Sequence, residues 1–152
     1  STGHFLICRE AMRVFRKQGM GGRIVLNCSK NVPLPGGGFG AYSASKAAET
    51  QLGRILAIEG APLGVRVNML HPDGIFQGSQ LWSEEIKRQR AEAYGVAAEE
   101  LPEYYRQRNL LKIQVTAEDV AEAVLFFASD RSRATTGGVL TVDGGLPGAF
   151  SR

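Results

Sequence analysis

Three short apolar runs, each set between helix-patterned segments, constrain this chain more than any other feature. The runs are Arg23 to Ser29, Val65 to Leu70 and Gly138 to Asp143. Each has the length and the unbroken apolar character of a strand buried on both faces. The segments between them carry apolar residues at helical spacing. Residues 2–18 hold Phe5, Leu6, Cys8, Met12, Val14 and Phe15 among charges, and Gly19-Met20-Gly21-Gly22 stops that helix. A second helix is expected from Tyr42 to about Glu59, with small Ala44, Ala47 and Ala48 letting another element approach closely. Thr116-Ala117-Glu118-Asp119 has the form of a capping box and opens a helix with Val120, Ala123, Val124 and Phe127 on one face. Helices alternating with apolar strands predict an α/β fold with a doubly wound parallel sheet.

The connections carry the remaining character. Asn31 to Gly40 is a loop rich in Pro and Gly, and Pro62-Leu63-Gly64 is a turn. Pro72-Asp73-Gly74 is expected to break the second strand. The segment from Gln77 to Ile113 is charged, with Trp82, Tyr94, Tyr104 and Tyr105 spaced through it. Ser83-Glu84-Glu85 reads as a helix start and Gly95 as a stop, so residues 77–113 are expected to form one or two inserted helices, a lid. At 152 residues the chain is one domain or part of one. Its first residue is not Met and a helical pattern begins almost at once, which suggests a piece of something longer. No run approaches the ~20 apolar residues of a membrane span. Net charge is +3 with the two signs mixed, so neither a nucleic-acid surface nor a membrane surface is indicated. Two cysteines, Cys8 and Cys28, make no disulfide framework, and cytoplasmic residence is the default expectation. His4 and His71 are far apart with no ligand cluster near either, so no metal site is expected.

Within this frame Ser29, Tyr42 and Lys46 put a hydroxyl, a phenol and an ammonium where they can act on one carbonyl. Tyr42 and Lys46 share one face of the expected helix. An ammonium beside a phenol favours the phenolate. Ser29 closes its apolar strand, and open α/β sheets bind ligands at the carboxyl ends of strands. The implied chemistry is hydride transfer to or from a carbonyl carbon. Tyr42 exchanges the proton on oxygen as general acid or base, and Ser29 holds that oxygen by a hydrogen bond. Lys46 acts on Tyr42 and holds a ribose hydroxyl of the cofactor. The blander alternative has Tyr42 as a helix-start aromatic and Lys46 as a solvated charge.

With these residues in place the sequence resembles the short-chain dehydrogenase/reductase family. Ser29, Tyr42 and Lys46 match its catalytic trio at the family's spacing. Gly64-Val65-Arg66-Val67-Asn68 followed by Pro72 looks like the strand before its nicotinamide loop, and Thr141-Val142-Asp143-Gly144-Gly145 is similar to its closing strand and turn. The resemblance implies a Rossmann-like fold, with residues 1–152 as the carboxyl-terminal half of one domain. It implies NAD or NADP, with NAD favoured, against Tyr42, Lys46, Pro72, Asp73, Gly74, Ile75 and Gln77. More narrowly, His71 to Ser79 and the lid around Trp82 look like the dehydrogenase part of bifunctional rhamnulose-phosphate aldolase/dehydrogenase proteins. That branch implies an aldolase domain on the amino-terminal side, rhamnose catabolism, and a small carbonyl or alcohol substrate such as lactaldehyde. Helices matching residues 2–18 and 42–59 form a dimer interface in the family, so the apolar faces around Phe5, Met12 and Leu52 imply a homo-oligomer.

The departures from the pattern matter as much. The family's glycine-rich phosphate turn lies before the point where this chain starts, and so does the residue that chooses NAD or NADP. Ser1-Thr2-Gly3 looks like the residues just after the family's active-site Asn. Asp73 stands where the family has Gly, and Gln77 where a Thr usually meets the carboxamide; a carboxylate at 73 is expected to alter cofactor approach or bind a substrate hydroxyl. Gly36-Gly37-Gly38-Phe39-Gly40 does not join a strand directly to a helix, so it is expected to border the active site rather than bind phosphate. Cys28 adjoins Ser29, but strand alternation turns it into the core. Arg88, Arg90, Arg106 and Arg108 are expected to solvate the lid helices, with contact to an anionic substrate as the alternative. Two other functions compete: an inactive fragment serving as a structural or oligomerisation module, and a lyase with Lys46 as a Schiff-base amine.

Overall fold

The computed structural model describes residues 2–150; the expectation attached to Ser1 lies outside them. Three strands form one parallel sheet in the order β1-β2-β3: β1 is Gly22–Asn27, β2 Val65–Pro72 and β3 Val139–Val142. The register pairs Gly22 with Val65 and Asn27 with Leu70, and Met69 with Val139 and Pro72 with Val142. Among the described residues the α-helices are α1 (Thr2–Gln18), α2 (Gly40–Gly60), α3 (Glu84–Tyr94), α4 (Leu101–Arg108) and α5 (Ala117–Ala128). Strand alternation sends β1 and β2 side chains to both faces, and each face is covered. On one, Leu26, Val65, Val67 and Met69 pack against Cys8, Leu56 and Ala57 of α1 and α2. On the other, Val25 and Leu70 meet Val120, Ala123 and Phe127 of α5. This is the doubly wound arrangement, and it belongs to the Rossmann-like class. None of the helices is long and apolar enough to cross a membrane among the described residues.

Several boundaries differ from the sequence pattern. β1 ends at Asn27, two residues before the expected end. The ladder nonetheless continues, because Cys28 N donates to Leu70 O at 2.9 Å and Lys30 N to Pro72 O at 3.0 Å. Ser29 is therefore clamped between two inter-strand bonds. β2 runs on through Pro72 rather than breaking at Leu70. A proline costs a strand only its N–H, and the Pro72 carbonyl is the one that Lys30 uses. Helix α2 begins at Gly40, one turn's fraction before Tyr42. Ala44, Ala47 and Ala48 are exposed, and the close approach occurs on another face. A Cβ on Gly53 would lie 2.5 Å from Met69 Sδ, so only glycine lets α2 sit this near β2.

Residues 77–113, expected to hold one or two helices, contain two, α3 and α4. Ser83 Oγ accepts from Ile86 N at 3.3 Å to cap α3, and Gly95 closes it in the left-handed region at φ 68°. The lid has its own core of Trp82, Ala91, Leu101 and Tyr105. Phe76 stacks on Trp82 with ring centroids 4.4 Å apart and meets Tyr105 edge-on at 5.1 Å. The predicted capping box also forms: Asp119 N donates to Thr116 Oγ1 at 3.2 Å, and Thr116 N donates to Asp119 Oδ2 at 2.9 Å.

Candidate active site

A cavity of about 210 Å³ opens at the carboxyl ends of β1 and β2, under the lid. Ser29, Tyr42 and Lys46 all line it, with Pro72, Asp73, Gly74 and Ile75. Gln77 is exposed and is not among the lining residues.

Each of the three central groups is held in a definite way. Ser29 is buried, and its Oγ accepts from Asn31 N at 3.1 Å. That bond occupies a lone pair and leaves the hydroxyl proton free to donate into the cavity. Tyr42 sits in the first turns of α2 with its ring 5.7 Å from Phe39. Lys46 Nζ donates to Asn27 O at 2.9 Å and to Glu49 Oε2 at 2.9 Å. An ammonium has three donors, so one remains for the cavity.

Glu49 was not foreseen as a site residue. It is only 2 % exposed and lies one turn along α2 from Lys46. Its other oxygen, Oε1, is 3.1 Å from His4 Nε2 on α1. That pair is close enough for attraction but off the line of a directed hydrogen bond, which leaves Oε1 buried without a donor. The sequence signal for Glu49 was its i,i+3 spacing from Lys46, which puts the two on one helix face.

Asp73 corrects an expectation. Its carboxylate does not face the cavity as a free group. Both oxygens accept from Arg108 Nη2, at 2.6 and 2.8 Å, and the side chain is 3 % exposed. Arg108 also lies 3.7 Å from the centre of the Tyr105 ring. The pair ties α4 of the lid to the loop after β2. Gly74 allows this closeness, since a Cβ there would come within 2.8 Å of Tyr105 Cε1 and 2.9 Å of Trp82 Cζ2.

Arg90 is a second correction. It is buried rather than solvated, with both terminal nitrogens 2.9 Å from Gly37 O and its guanidinium 3.4 Å over the Phe39 ring. An aromatic face and a carbonyl replace the water that an arginine otherwise keeps. Arg90 thereby fastens the glycine loop, whose Gly36 lines the cavity. Arg88 and Arg106 remain at the surface in pairs with Glu85 and Glu103. The Arg106 guanidinium holds the Glu103 carboxyl down at about 2.

Two further groups have displaced protonation. Lys30, immediately after Ser29, is buried and lines the cavity, and burial, helped by the Arg108 charge, pushes its ammonium below the usual lysine range. Burial pushes the Cys28 thiol up, which disfavours the thiolate; Cys28 belongs to the core cluster and also lines the cavity.

The residues fit one end of a nicotinamide dinucleotide. Among the described residues, the N–H groups of Gly74 and Ile75 make no backbone hydrogen bond, and Lys46 has a spare donor. Unpaired donors beside a hydroxyl and a phenol suit a carboxamide and a ribose hydroxyl.

Fold and cavity together define a class: the carboxyl-terminal part of a Rossmann-like α/β domain with a polar cavity at its strand ends. The chain belongs to the short-chain dehydrogenase/reductase family, and the family model described as Enoyl-(Acyl carrier protein) reductase matches residues 1–147. It is similar to the uncharacterized oxidoreductase YuxG of Bacillus subtilis (strain 168), with 46% identity over 99% of this chain but 22% of that protein. Sorbitol-6-phosphate 2-dehydrogenase SrlD from Erwinia amylovora superposes with a TM-score of 0.86 at 32% identity, covering 95% of this chain and 56% of that one. A short chain dehydrogenase from Leptospira borgpetersenii serovar Hardjo-bovis (strain JB197), solved with bound NAD+, superposes with a TM-score of 0.76 at 25% identity, covering 95% and 52%. The chain thus spans little more than half of the solved relatives and less of YuxG.

Proposed function

We propose that the polypeptide carrying this chain is an NAD(P)-dependent oxidoreductase acting on a carbonyl or hydroxyl of a small hydroxy-aldehyde or sugar. The observation that carries the reading is the convergence of Ser29, Tyr42 and Lys46 on one cavity beside the loop Asp73-Gly74-Ile75. In the oxidation direction Tyr42 acts as its phenolate: the carbinol O–H gives its proton to that oxygen, leaving the phenol, as the C–H bond breaks. Bound nicotinamide supplies the acceptor for the hydride. Ser29 donates its O–H to the substrate oxygen and keeps it placed against Tyr42. Lys46, anchored by Glu49 and Asn27 O, directs its third N–H toward a ribose hydroxyl. The N–H groups of Gly74 and Ile75 are the donors for the carboxamide. Of the two dinucleotides we propose NAD, which the Leptospira relative holds.

For the substrate we propose a lactaldehyde-type compound, the product of an aldolase domain in the same polypeptide, in rhamnose catabolism. The resemblance of residues 71–79 and of the Trp82 lid to that branch supports it. So does the YuxG match, which covers only 22% of a much longer relative. Sorbitol-6-phosphate 2-dehydrogenase, a polyol enzyme by name, supports a polyhydroxy substrate.

The test is Tyr42→Phe in the full-length protein. Turnover of lactaldehyde, followed by nicotinamide absorbance, should be lost by about 10²-fold or more, with NADH affinity nearly kept. A variant with full activity refutes the role of Tyr42. We also propose that copies associate through α1 and α2, where Phe5, Ile7, Val14, Ile55 and Ile58 are exposed. A monomeric mass by light scattering overturns that.

A further inference from the structure

The cavity wall holds more positive charge than the protein neutralises. Lys30 is 8 % exposed and lines the cavity, yet among the described residues its ammonium has neither an ion pair within 4.0 Å nor a hydrogen bond. Three charged groups act on it: Arg108, Asp73 and Arg90. Asp73 is consumed by Arg108, so those two cancel. Arg90 has only a carbonyl and an aromatic ring as partners. No carboxylate is left for Lys30. Asn31, buried and cavity-lining, contributes a second side chain able to donate.

The stem of Lys30 is packed while its ammonium reaches the cavity, and a cation placed there without a counter-ion attracts an anion into the cavity. We infer that Lys30, with Asn31, forms a subsite for an oxyanion, a carboxylate or phosphate group carried by the substrate or product. Lys30 and Ser29 line the same cavity, so the anion shares it with the reacting carbon. The inference rests on the oxidoreductase reading above, in that it names the substrate class for the same cavity.

The experiment uses the full-length protein and needs no turnover. Binding of glycerate and, separately, of inorganic phosphate is measured by calorimetry at fixed ionic strength, with glycerol as the neutral control. Wild type, Lys30→Met and Lys30→Arg are compared, with circular dichroism as the check on folding. At least one anion should bind wild type about tenfold or more tighter than Lys30→Met, the scale of one charge-assisted hydrogen bond. Lys30→Arg should retain most of that difference. Preference for glycerate assigns the subsite to a carboxylate, and preference for phosphate to a phosphoryl group. Failure of wild type to bind either anion, or equal binding by Lys30→Met, overturns the subsite. Turnover of neutral hydroxy-aldehydes without anion binding sinks the subsite and keeps the oxidoreductase. Lys30-dependent anion binding with no turnover of any carbinol does the reverse.

Discussion

Replacing Glu49 with glutamine keeps the side-chain shape and removes one buried charge, so it isolates what the carboxylate does for Lys46. At the observed 2.9 Å and an effective dielectric constant near 20, the ion pair is worth about 6 kcal/mol in Coulomb energy. Burying the carboxylate at 2 % exposure costs several kcal/mol in the opposite sense. Lys46 also keeps the Asn27 carbonyl at 2.9 Å and is 18 % exposed, so it is not orphaned when the charge goes. The net loss expected for Glu49→Gln is therefore about 1.5–3 kcal/mol, the range of one hydrogen bond to a charged group. In a domain of this size each kcal/mol lowers the melting midpoint by about 2–4 °C. Urea unfolding of the full-length protein measures it. A cycle with Lys46→Met should return a coupling of similar size. Turnover should fall by about tenfold, because a Lys46 free to swing no longer presents its third donor at a fixed place. Wild-type stability and turnover in Glu49→Gln would refute the reasoning, since an amide would then anchor Lys46 as well as a carboxylate does.

Gly74→Ala should destabilise by about 1–3 kcal/mol, because the new Cβ lands 2.8 Å from Tyr105 and 2.9 Å from Trp82. An unchanged denaturation midpoint would show that the lid yields freely. His71 is buried, with Nε2 3.1 Å from Thr50 Oγ1, and burial, followed by the Arg54 charge, holds its pKa below the ordinary 6.5. The unfolded chain therefore binds the proton first as pH falls. Stability should rise with pH from the folded value up to about 6.5, and drop on acidification through that window by at most about 1.4 kcal/mol per pH unit. Thermal midpoints between about pH 5 and 8 should show this slope in wild type and a flatter one in His71→Gln; parallel curves would count against His71 as the source.

Local rules made most of the fold legible, and the reason is that they act over a few residues. The capping box at Thr116, the glycine stop at Gly95 and the apolar periods of the helices and strands each depend on near neighbours in the chain. Ser29, Tyr42 and Lys46 were readable for the same reason, as two residues one helical turn apart and one at a strand end. Their meeting in one cavity follows from the parallel β1-β2 pairing that brings the strand ends together. Strand and helix ends were less legible: a proline costs only a donor, so β2 continues through Pro72, and ladder bonds pass beyond β1 to Lys30.

What only the tertiary structure decided is the partner of each charge. By itself the sequence determined that Asp73, Arg90, Arg108, Lys30 and Glu49 were present, and that charges of this kind usually face water. Folding took Asp73 to Arg108 across 35 positions and Arg90 to Gly37 across 53. It set Glu49 under Lys46 and left Lys30 alone in the cavity wall. Hydrophobic periodicity shows which face of an element is buried, because burial acts on every residue alike. A charge acts through one partner at about 3 Å, and that partner is settled only when distant segments pack.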